Sequence, residues 1–176
     1  PISADISVST PEDTPLNGTL IATDVDGDIP VFSAGSTTPA NGIVVINSDG
    51  TYLYTPNPDF DGTDSFSFIV PDPSGARNEY TVTVTVTDVN DAPVGTPLPD
   101  RSANDGATVN FDVSSFFSDV DGDTLTYSQT GLPSGLSLSP AGIITGTIDR
   151  SASQGGNNGV YTVTITVSDG NGGTAQ

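Results

Sequence analysis

The sequence of 176 residues contains no cysteine, histidine, methionine or tryptophan. Without cysteine and histidine, the chain has no disulfide, no zinc site built on those ligands and no Ser-His or Cys-His nucleophile. No apolar run approaches the roughly 20 residues of a membrane-spanning helix, and the first residues lack the basic, apolar and small-residue layout of a secretory signal. We therefore expect no membrane insertion, and we expect any export signal to lie outside this sequence.

Basic residues are also scarce. Arg77, Arg101 and Arg150 stand against 22 acidic residues, and the formal net charge is −19. Such a chain repels nucleic acid and anionic membrane surfaces. Only Glu12 and Glu79 are glutamates. The other acids are aspartates, whose short side chains favour turns, where they bind their own backbone or a cation.

Apolar residues alternate with polar ones at the period of a β-strand. Val82, Val84 and Val86 alternate with threonines, and Phe66 and Phe68 are in phase in an earlier run. This alternation indicates strands with one buried and one solvated face. Each half of the chain holds about seven such strands, with turn signals about every 8 to 12 residues, and neither half has a helical apolar period. The pattern predicts an all-β fold of two tandem immunoglobulin-like Greek-key β-sandwiches.

Two acidic motifs occur twice at nearly the same spacing. Asp-Val-Asp-Gly-Asp occupies residues 24–28 and again residues 119–123. The turn Asp-Pro-Ser-Gly at Asp72 returns as Asp-Gly-Asn-Gly at Asp169. Two copies of one module explain why both motifs recur at nearly the same distance along the chain. We predict one domain at residues 1–91 and a second at residues 92–176.

Between the two copies, residues 87–94 read Thr-Asp-Val-Asn-Asp-Ala-Pro-Val. Asp88, Asn90 and Asp91 place three metal-binding side chains within four residues, and Pro93 forces an extended backbone on Ala92. Calcium takes about 6 to 8 oxygen ligands, including carboxylates and carbonyls. A single Asp-x-Asp is explained as well by a solvated turn as by a metal site. Two copies of the motif at corresponding positions of the two halves, with this connector between them, favour a metal site. The sequence thus predicts a calcium-binding hinge between two domains.

Two other calcium motifs do not match. An EF-hand loop requires glycine at its sixth position and glutamate at its twelfth. Counted from Asp24, these positions hold Ile29 and Gly35, and the copy that begins at Asp119 fails in the same way. The glycine-rich nonapeptide of β-roll repeats is absent as well.

The motifs resemble those of bacterial cadherin-like modules, members of the cadherin superfamily that occur in tandem in large surface adhesins. The first half contains Asp-Gly-Thr-Tyr, Tyr-Thr-Pro and Phe-Asp-Gly-Thr-Asp-Ser-Phe. The second half is similar to the dystroglycan-type module, with Asp-Val-Asp-Gly-Asp-Thr-Leu-Thr-Tyr and Gly-Leu-Pro-Ser-Gly-Leu. In this family calcium lies between consecutive domains. The metal ligands that the resemblance implies are Glu12, Asp61, Asp88, Asn90, Asp91, Asp119, Asp121 and Asp169.

The resemblance leaves some assignments open. Asp59 and Asp64 are rivals of Asp61, and Ala92 replaces the second linker asparagine of the family. The number of calcium ions therefore stays open. Two further acidic groups resemble half-sites that face linkers outside the two domains, namely Asp24, Asp26 and Asp72 on one side and Asp105 and Asp149 on the other.

The function that the resemblance implies is a calcium-rigidified extracellular repeat. It would be a spacer of a bacterial adhesin at the cell surface and would support cell adhesion and biofilm formation. Its partners would be calcium and neighbouring repeats of the same chain, with a surface polysaccharide or a cell-surface protein as further candidates and no nucleic acid.

The alternative function is a carbohydrate- or protein-binding module of an adhesin or a secreted hydrolase. A sugar platform needs exposed aromatic side chains, whereas Tyr52, Tyr54, Phe66 and Phe68 are predicted to lie in the core. Paired carboxylates can also hydrolyse glycosides. Here the close pairs lie in strongly anionic clusters, and no insertion forms a cleft, so we predict that the chain is not an enzyme.

The last strand of the second domain is expected to be missing. In the first copy this strand runs from about Glu79 to Asp88, and the offset between the copies places only the start of its counterpart within the sequence, at the final residue, Gln176. The strand predicted at Val160 to Ser168 would then present an unpaired edge. We predict that the second domain is the less stable one, or that a neighbouring strand or a further segment fills the gap.

Overall fold

Strand pairing accounts for almost all regular structure in the computed structural model, which describes residues 1–176. Contacts divide the chain into unit 1 (Pro1–Val89) and unit 2 (Asn90–Gln176), each with its own hydrophobic core. The helical segments are two 3-10 turns of three residues each, at Ser114–Phe116 and Ala152–Gln154. No helix is both long and apolar enough to cross a membrane. The predicted all-β fold is confirmed.

Unit 1 contains seven strands. They are β1 (Ile6–Pro11), β2 (Leu16–Thr19), β3 (Ser33–Ala34), β4 (Gly42–Ile46), β5 (Thr51–Pro56), β6 (Gly62–Pro71) and β7 (Arg77–Thr87). Their order is β1-β7-β6-β3 in one sheet and β2-β5-β4 in the other. Strands β1 and β7 pair in parallel, and the remaining pairs are antiparallel.

The core of unit 1 follows the alternation of the sequence. The in-phase valines of β7 are at most 2% exposed, and Phe66 and Phe68 of β6 are fully buried. Tyr52 and Tyr54 of β5 pack against Phe66, with ring centroids 5.4 and 6.3 Å away. Such aromatic pairs add about 0.5 to 1.5 kcal/mol each beyond the area they bury. The predicted core positions of the four aromatics are confirmed.

Asp64 of β6 anchors a loop to this core. It is only 5% exposed. Its carboxylate accepts hydrogen bonds from the N–H groups of Ala40 (2.9 Å) and Asn41 (3.0 Å) and from the Tyr54 hydroxyl (2.9 Å). A buried carboxylate requires such partners, because leaving it unpaired is costly. Asp64 therefore serves the fold of unit 1.

Unit 2 contains eight strands. They are β8 (Val94–Gly95), β9 (Thr108–Asp112), β10 (Phe117–Ser118), β11 (Thr126–Thr130), β12 (Leu136–Leu138), β13 (Ile143–Thr147), β14 (Thr164–Ser168) and β15 (Thr174–Ala175). The sheets are ordered β11-β14-β15, β12-β13-β9 and β10-β8, all antiparallel. The core between them is built on Val113, Phe117, Ile144, Ile165 and Val167.

The strand predicted to begin at Val160 begins only at Thr164. Asn158 (φ +53°) and Gly159 (φ +81°) adopt left-handed backbone conformations, and Val160 forms an isolated bridge with Asn157. The chain is thus still turning at Val160, whose side chain is 66% exposed.

Candidate metal centre

Each Asp-Val-Asp-Gly-Asp motif folds into a tight turn. Gly122 has a φ of +76°, which glycine adopts without steric cost. The turn brings Asp123 back towards Asp119, whose Oδ1 accepts hydrogen bonds from the N–H groups of Asp121 (3.1 Å) and Asp123 (3.3 Å). The first and fifth carboxylates of the motif therefore lie on the same side of the loop.

Asp169 completes a group of three carboxylates in unit 2. Ligand oxygens of Asp119, Asp123 and Asp169 all lie within 4.8 Å of one another. No arginine pairs with any of the three. Like charges at this distance repel, so the group favours a cation.

Hydrogen bonds hold Asp169 in place and keep it ionised. It is 5% exposed. Its Oδ2 accepts a hydrogen bond from the Asn90 side chain (3.0 Å), and its Oδ1 accepts one from the N–H of Asn171 (2.7 Å). The Asn90 amide, together with backbone N–H groups, holds the pKa of Asp169 below its usual range, although burial acts in the opposite direction.

One oxygen of this group has no partner. Asp119 Oδ2 is inaccessible to solvent and makes no hydrogen bond. A buried polar atom without a partner costs about 1 to 3 kcal/mol, and more when it is charged. A bound cation would remove that cost. The donor set consists of oxygens, which suits a hard ion such as calcium.

The segment that opens unit 2 is hydrogen-bonded to the same region. Asn90 donates to Asp169, and the N–H of Asp91 donates to Asp121 Oδ2 at 2.7 Å. Unit 2 therefore gathers five of the eight predicted ligands, Asn90, Asp91, Asp119, Asp121 and Asp169, around one turn and its neighbours.

The other three predicted ligands belong to unit 1. Glu12 is 4% exposed, and its Oε1 accepts a hydrogen bond from the N–H of Val89 at 2.6 Å. Asp61 and Asp88 are exposed on the segments before β6 and after β7. Whether these three bind metal stays a prediction.

Unit 1 holds an equivalent carboxylate group. Ligand oxygens of Asp24, Asp28 and Asp72 lie within 4.8 Å of one another. Asp24 Oδ1 accepts hydrogen bonds from the N–H groups of Asp26 (2.8 Å) and Asp28 (3.3 Å), as Asp119 Oδ1 does from the corresponding residues of unit 2.

Sequence reasoning missed one residue in each group, Asp28 and Asp123. It assigned the first and middle aspartates of each motif, but Asp26 and Asp121 are exposed and belong neither to the group of Asp24, Asp28 and Asp72 nor to that of Asp119, Asp123 and Asp169. The glycine at the fourth position was the available signal, because a left-handed turn there returns the fifth residue to the first.

Both aspartates of the last predicted half-site accept hydrogen bonds from serines of unit 2. Asp105 accepts hydrogen bonds from the N–H and hydroxyl of Ser153, at 2.8 and 2.6 Å. Asp149 Oδ1 accepts hydrogen bonds from the N–H and hydroxyl of Ser151. Their role in metal binding also stays a prediction.

Known protein families match both halves of the chain. Residues 1–85 match the model described as Bacterial Ig domain, and residues 92–176 match the one described as Putative Ig domain. The chain is a tandem of immunoglobulin-like modules. This tandem resembles human mucin-like protocadherin EC1-2, with a TM-score of 0.58 and 21% identity, over 97% of this chain and 91% of that one.

A second structural relative of the immunoglobulin-like tandem is the extracellular domain of protocadherin gamma B4. The TM-score is 0.57 and the identity 18%, over 99% of this chain and 30% of that one. At such identities the likeness shows the fold alone, which is cadherin-like. The predicted cadherin-like tandem repeat is confirmed.

Two longer proteins of Dictyostelium discoideum share sequence with the immunoglobulin-like tandem. Integrin beta-like protein E is 34% identical over 119 residues, which is 58% of this chain and 6% of that protein. Integrin beta-like protein A is 40% identical over 80 residues, which is 44% of this chain and 4% of that protein. The chain therefore spans only a small part of the relatives it matches.

Proposed function

We propose that the protein is a calcium-binding extracellular repeat that acts as a stiff spacer in a bacterial adhesin and supports cell adhesion and biofilm formation. The observation that carries the proposal is the group Asp119, Asp123 and Asp169, with its buried Asp119 Oδ2 that lacks a partner. The equivalent group in unit 1 supports it, because both copies of the motif make the same arrangement. The cadherin-like fold and the integrin beta-like relatives support a role in adhesion.

The chain's own residues prepare the site before any ion binds. Backbone N–H groups orient Asp119 and Asp169, and the Asn171 side chain donates to Asp123 Oδ2 at 2.8 Å. Bound calcium would supply the positive charge that offsets the repulsion among these carboxylates. Because Asn90 and Asp91 are hydrogen-bonded to this region, binding here would also order the connector.

Glu12, Asp61 and Asp88 of unit 1 are retained as further proposed ligands. Extracellular calcium modules typically bind with a Kd of about 10⁻⁴ to 10⁻³ M. At 1 mM external calcium, about half to nine-tenths of the sites would therefore be occupied.

Calcium titration tests the metal proposal. By mass action, an ion that binds only the folded state raises the free energy of unfolding, by about 0.4 to 1.4 kcal/mol at 1 mM calcium for a Kd in that range. We expect the thermal midpoint to rise with millimolar calcium and to change much less with magnesium, which requires octahedral geometry and loses water reluctantly. Equal midpoints in calcium and in excess EDTA would rule out the metal.

A matched pair of variants locates the site. Asp119→Asn keeps the size of the side chain but removes its charge, and calcium affinity measured by calorimetry should fall at least about tenfold. Asp112→Asn is the control, because Asp112 also caps a turn, with its Oδ1 2.8 Å from the N–H of Ser114, but lies outside the carboxylate group. An equal loss in both variants would mean that net charge, not this site, sets the affinity.

Binding of a protein ligand is the second candidate function. All twelve aromatic side chains are buried or half-buried, which leaves no aromatic platform for a sugar. In contrast, Ile43 and Val45 of β4 and Leu53 of β5 are 69%, 55% and 39% exposed. The double variant Ile43→Thr/Val45→Thr should keep the thermal midpoint but reduce bead or cell adhesion if this face binds a protein. Unchanged adhesion would exclude that face.

A further inference from the structure

Strand β4 is an edge strand of unit 1 that lacks the usual protection against pairing. It pairs with β5 along all five of its residues in an unbroken register, and no strand lies on its other side. Other edges of unit 1 are blunted, since β3 has two residues and β1 ends at Pro11. Strand β4 contains no proline, no charged residue and no bulge. An unprotected edge of this kind is a template for a further strand.

The direction of the backbone groups shows what this edge offers. The N–H of Asn47, directly after β4, donates to the carbonyl of Thr51 at 2.8 Å. In an antiparallel ladder such bonds recur at every second residue, so Ile43 and Val45 also bond to β5. The residues between them have no backbone hydrogen bond outside this ladder. The backbone groups that point to the open edge are those of Gly42, Val44 and Ile46.

The outer face beside this edge is apolar and uncharged. Ile43 and Val45 are exposed there, and Val45 lies opposite the exposed Leu53 of β5. None of the residues of β2, β4 and β5 is charged, and neither is any residue from 29 to 48. Two copies of a chain with a net charge of −19 repel each other. An uncharged sheet is a surface where a second copy can approach without that repulsion.

Strand β4 is also complementary to itself. When two β4 strands pair antiparallel about Val44, Gly42 of each copy lies opposite Ile46 of the other. All the backbone groups that point to the open edge then have partners. Ile43 of each copy lies opposite Val45 of the other on the outer face, where apolar cross-strand pairs contribute about 0.2 to 1 kcal/mol each.

We propose that the open edge of β4 is a self-association surface, on which β4 of a second copy of this chain pairs antiparallel about Val44. The pairing joins two three-stranded sheets into one of six strands. It closes with two-fold symmetry, because both copies use the same edge. The proposal rests on the second candidate function, whose partner it names, and it does not depend on calcium, because β4 contains no carboxylate.

The size of the contact sets its strength. Five residues from each copy are fewer than the roughly 20 to 30 residues a side of a standard interface. The association is therefore weak between free chains. It becomes stronger where several copies are held on one surface, because each further contact then forms at a high effective concentration.

Disulfide trapping tests the register, because the chain contains no cysteine. Residues 43 and 45 of the two copies form a non-hydrogen-bonded pair, whose Cα atoms lie about 4.5 Å apart and can be bridged. Identical residues of the two copies lie on a diagonal of about 7 to 8 Å, beyond the reach of a disulfide. With oxidised glutathione, a mixture of Ile43→Cys and Val45→Cys chains should form the mixed disulfide at least about tenfold faster than either chain alone forms a dimer.

Sedimentation equilibrium tests association without a cross-link. At about 1 mM chain in about 0.15 M salt, which screens distant charges, we expect a monomer–dimer equilibrium that is the same in calcium and in EDTA. Val45→Asp places a carboxylate opposite the apolar Ile43 of the second copy and should weaken association at least about tenfold. Thr19→Asp is the matched control, because it adds the same charge at an exposed position of β2, on the other edge of the same sheet. Both variants should keep the thermal midpoint.

Different results would overturn different parts of the proposal. Equal rates of cross-linking in the mixture and in the single variants would overturn the antiparallel register. Equal weakening by Val45→Asp and Thr19→Asp would overturn the β4 edge as the contact. A chain that stays monomeric at about 1 mM would overturn the second copy, and a loss of cell adhesion in Val45→Asp would then assign the edge to another protein. A failure of calcium binding would overturn the calcium-dependent spacer but would leave this self-association unchanged.

Discussion

At the residue scale, Asp64 links the loop that precedes β4 to the core of unit 1. Replacing it with alanine removes four hydrogen bonds, including those from the Tyr54 hydroxyl and the N–H groups of Ala40 and Asn41. We expect Asp64→Ala to lower the free energy of unfolding of unit 1 by about 2 to 3 kcal/mol. Chemical denaturation checks this. Asp49→Ala, at an exposed turn, should cost less than about 1 kcal/mol; a similar loss would contradict the role of burial.

The same carboxylate predicts acid sensitivity. Burial alone would raise the pKa of Asp64, but the N–H groups of Ala40, Ser65 and Asn41 and the Tyr54 hydroxyl hold it below its ordinary value of 3.8. A pKa that is lower in the folded state stabilises the protein above the unfolded value, and this contribution is lost as pH falls through the folded value. The thermal midpoint of unit 1 should therefore decrease as the pH is lowered below about 4.

Asp64→Asn provides the check on this pH dependence. The substitution removes the titrating group. The thermal midpoint of unit 1 in the variant should therefore decrease less steeply between about pH 4 and pH 2 than in the original chain. Identical slopes in the two proteins would place the acid sensitivity elsewhere.

Single residues of the candidate site were only partly predictable from sequence. Asp119 and Asp169 could be found because the repeat places them in register. Asp123 was missed because the left-handed turn at Gly122 brings it back to Asp119, and the glycine that signals this turn was not used to place the fifth residue of the motif. Asp64 was a rival of Asp61 as a candidate metal ligand. Its hydrogen bonds explain its place in the fold, and sequence spacing does not reveal them.

At the element scale, β7 combines the two faces of a half-buried strand. Val84 is fully buried, and its neighbour Thr85 is exposed. Val84→Ala removes two methyl groups at about 0.8 kcal/mol each and leaves a small cavity, so unit 1 should lose about 2 kcal/mol. Thr85→Ala should change stability by less than about 1 kcal/mol. Urea unfolding measures both, and equal losses would mean that the strand register is wrong.

Long alternating strands could be predicted from sequence, whereas short ones could not. Strands β6 and β7 are visible in the pattern because burial of one face imposes a period of two. Strands β3, β8, β10 and β15 contain two residues each and exist because a partner strand lies beside them. The late start of β14 has a similar origin, since the turn at Asn158 and Gly159 depends on backbone conformation.

At the scale of the whole molecule, the proposed function predicts a chain whose flexibility depends on calcium. Small-angle scattering should show a narrower distribution of distances in millimolar calcium than in EDTA. Asp91→Ala should reduce this response while both units stay folded, and Asp112→Ala should keep it. A calcium response of the same size in Asp91→Ala would show that the connector does not take part in calcium binding.

The tandem organisation was the most predictable property, because two copies of a motif constrain each other. The spacing of Asp24 and Asp72 returns in Asp119 and Asp169, and the folded units repeat the same turn and the same carboxylate group. The number of ions could not be predicted, because it depends on distances among side chains from distant parts of the chain.

The parallel pairing of β1 with β7 has a mechanical consequence. Ile6 pairs with Val82 and Pro11 with Thr87, so the first strand of unit 1 enters this ladder at one end and the last strand leaves it at the other. A pulling force on the two ends of unit 1 therefore shears all six pairs at once instead of opening them one by one. In single-molecule pulling, unit 1 should resist a higher force between its two ends than between Pro11 and Thr87, which lie at the same end of the ladder and would open its pairs one by one. An equal or lower force between the two ends would contradict this shear geometry.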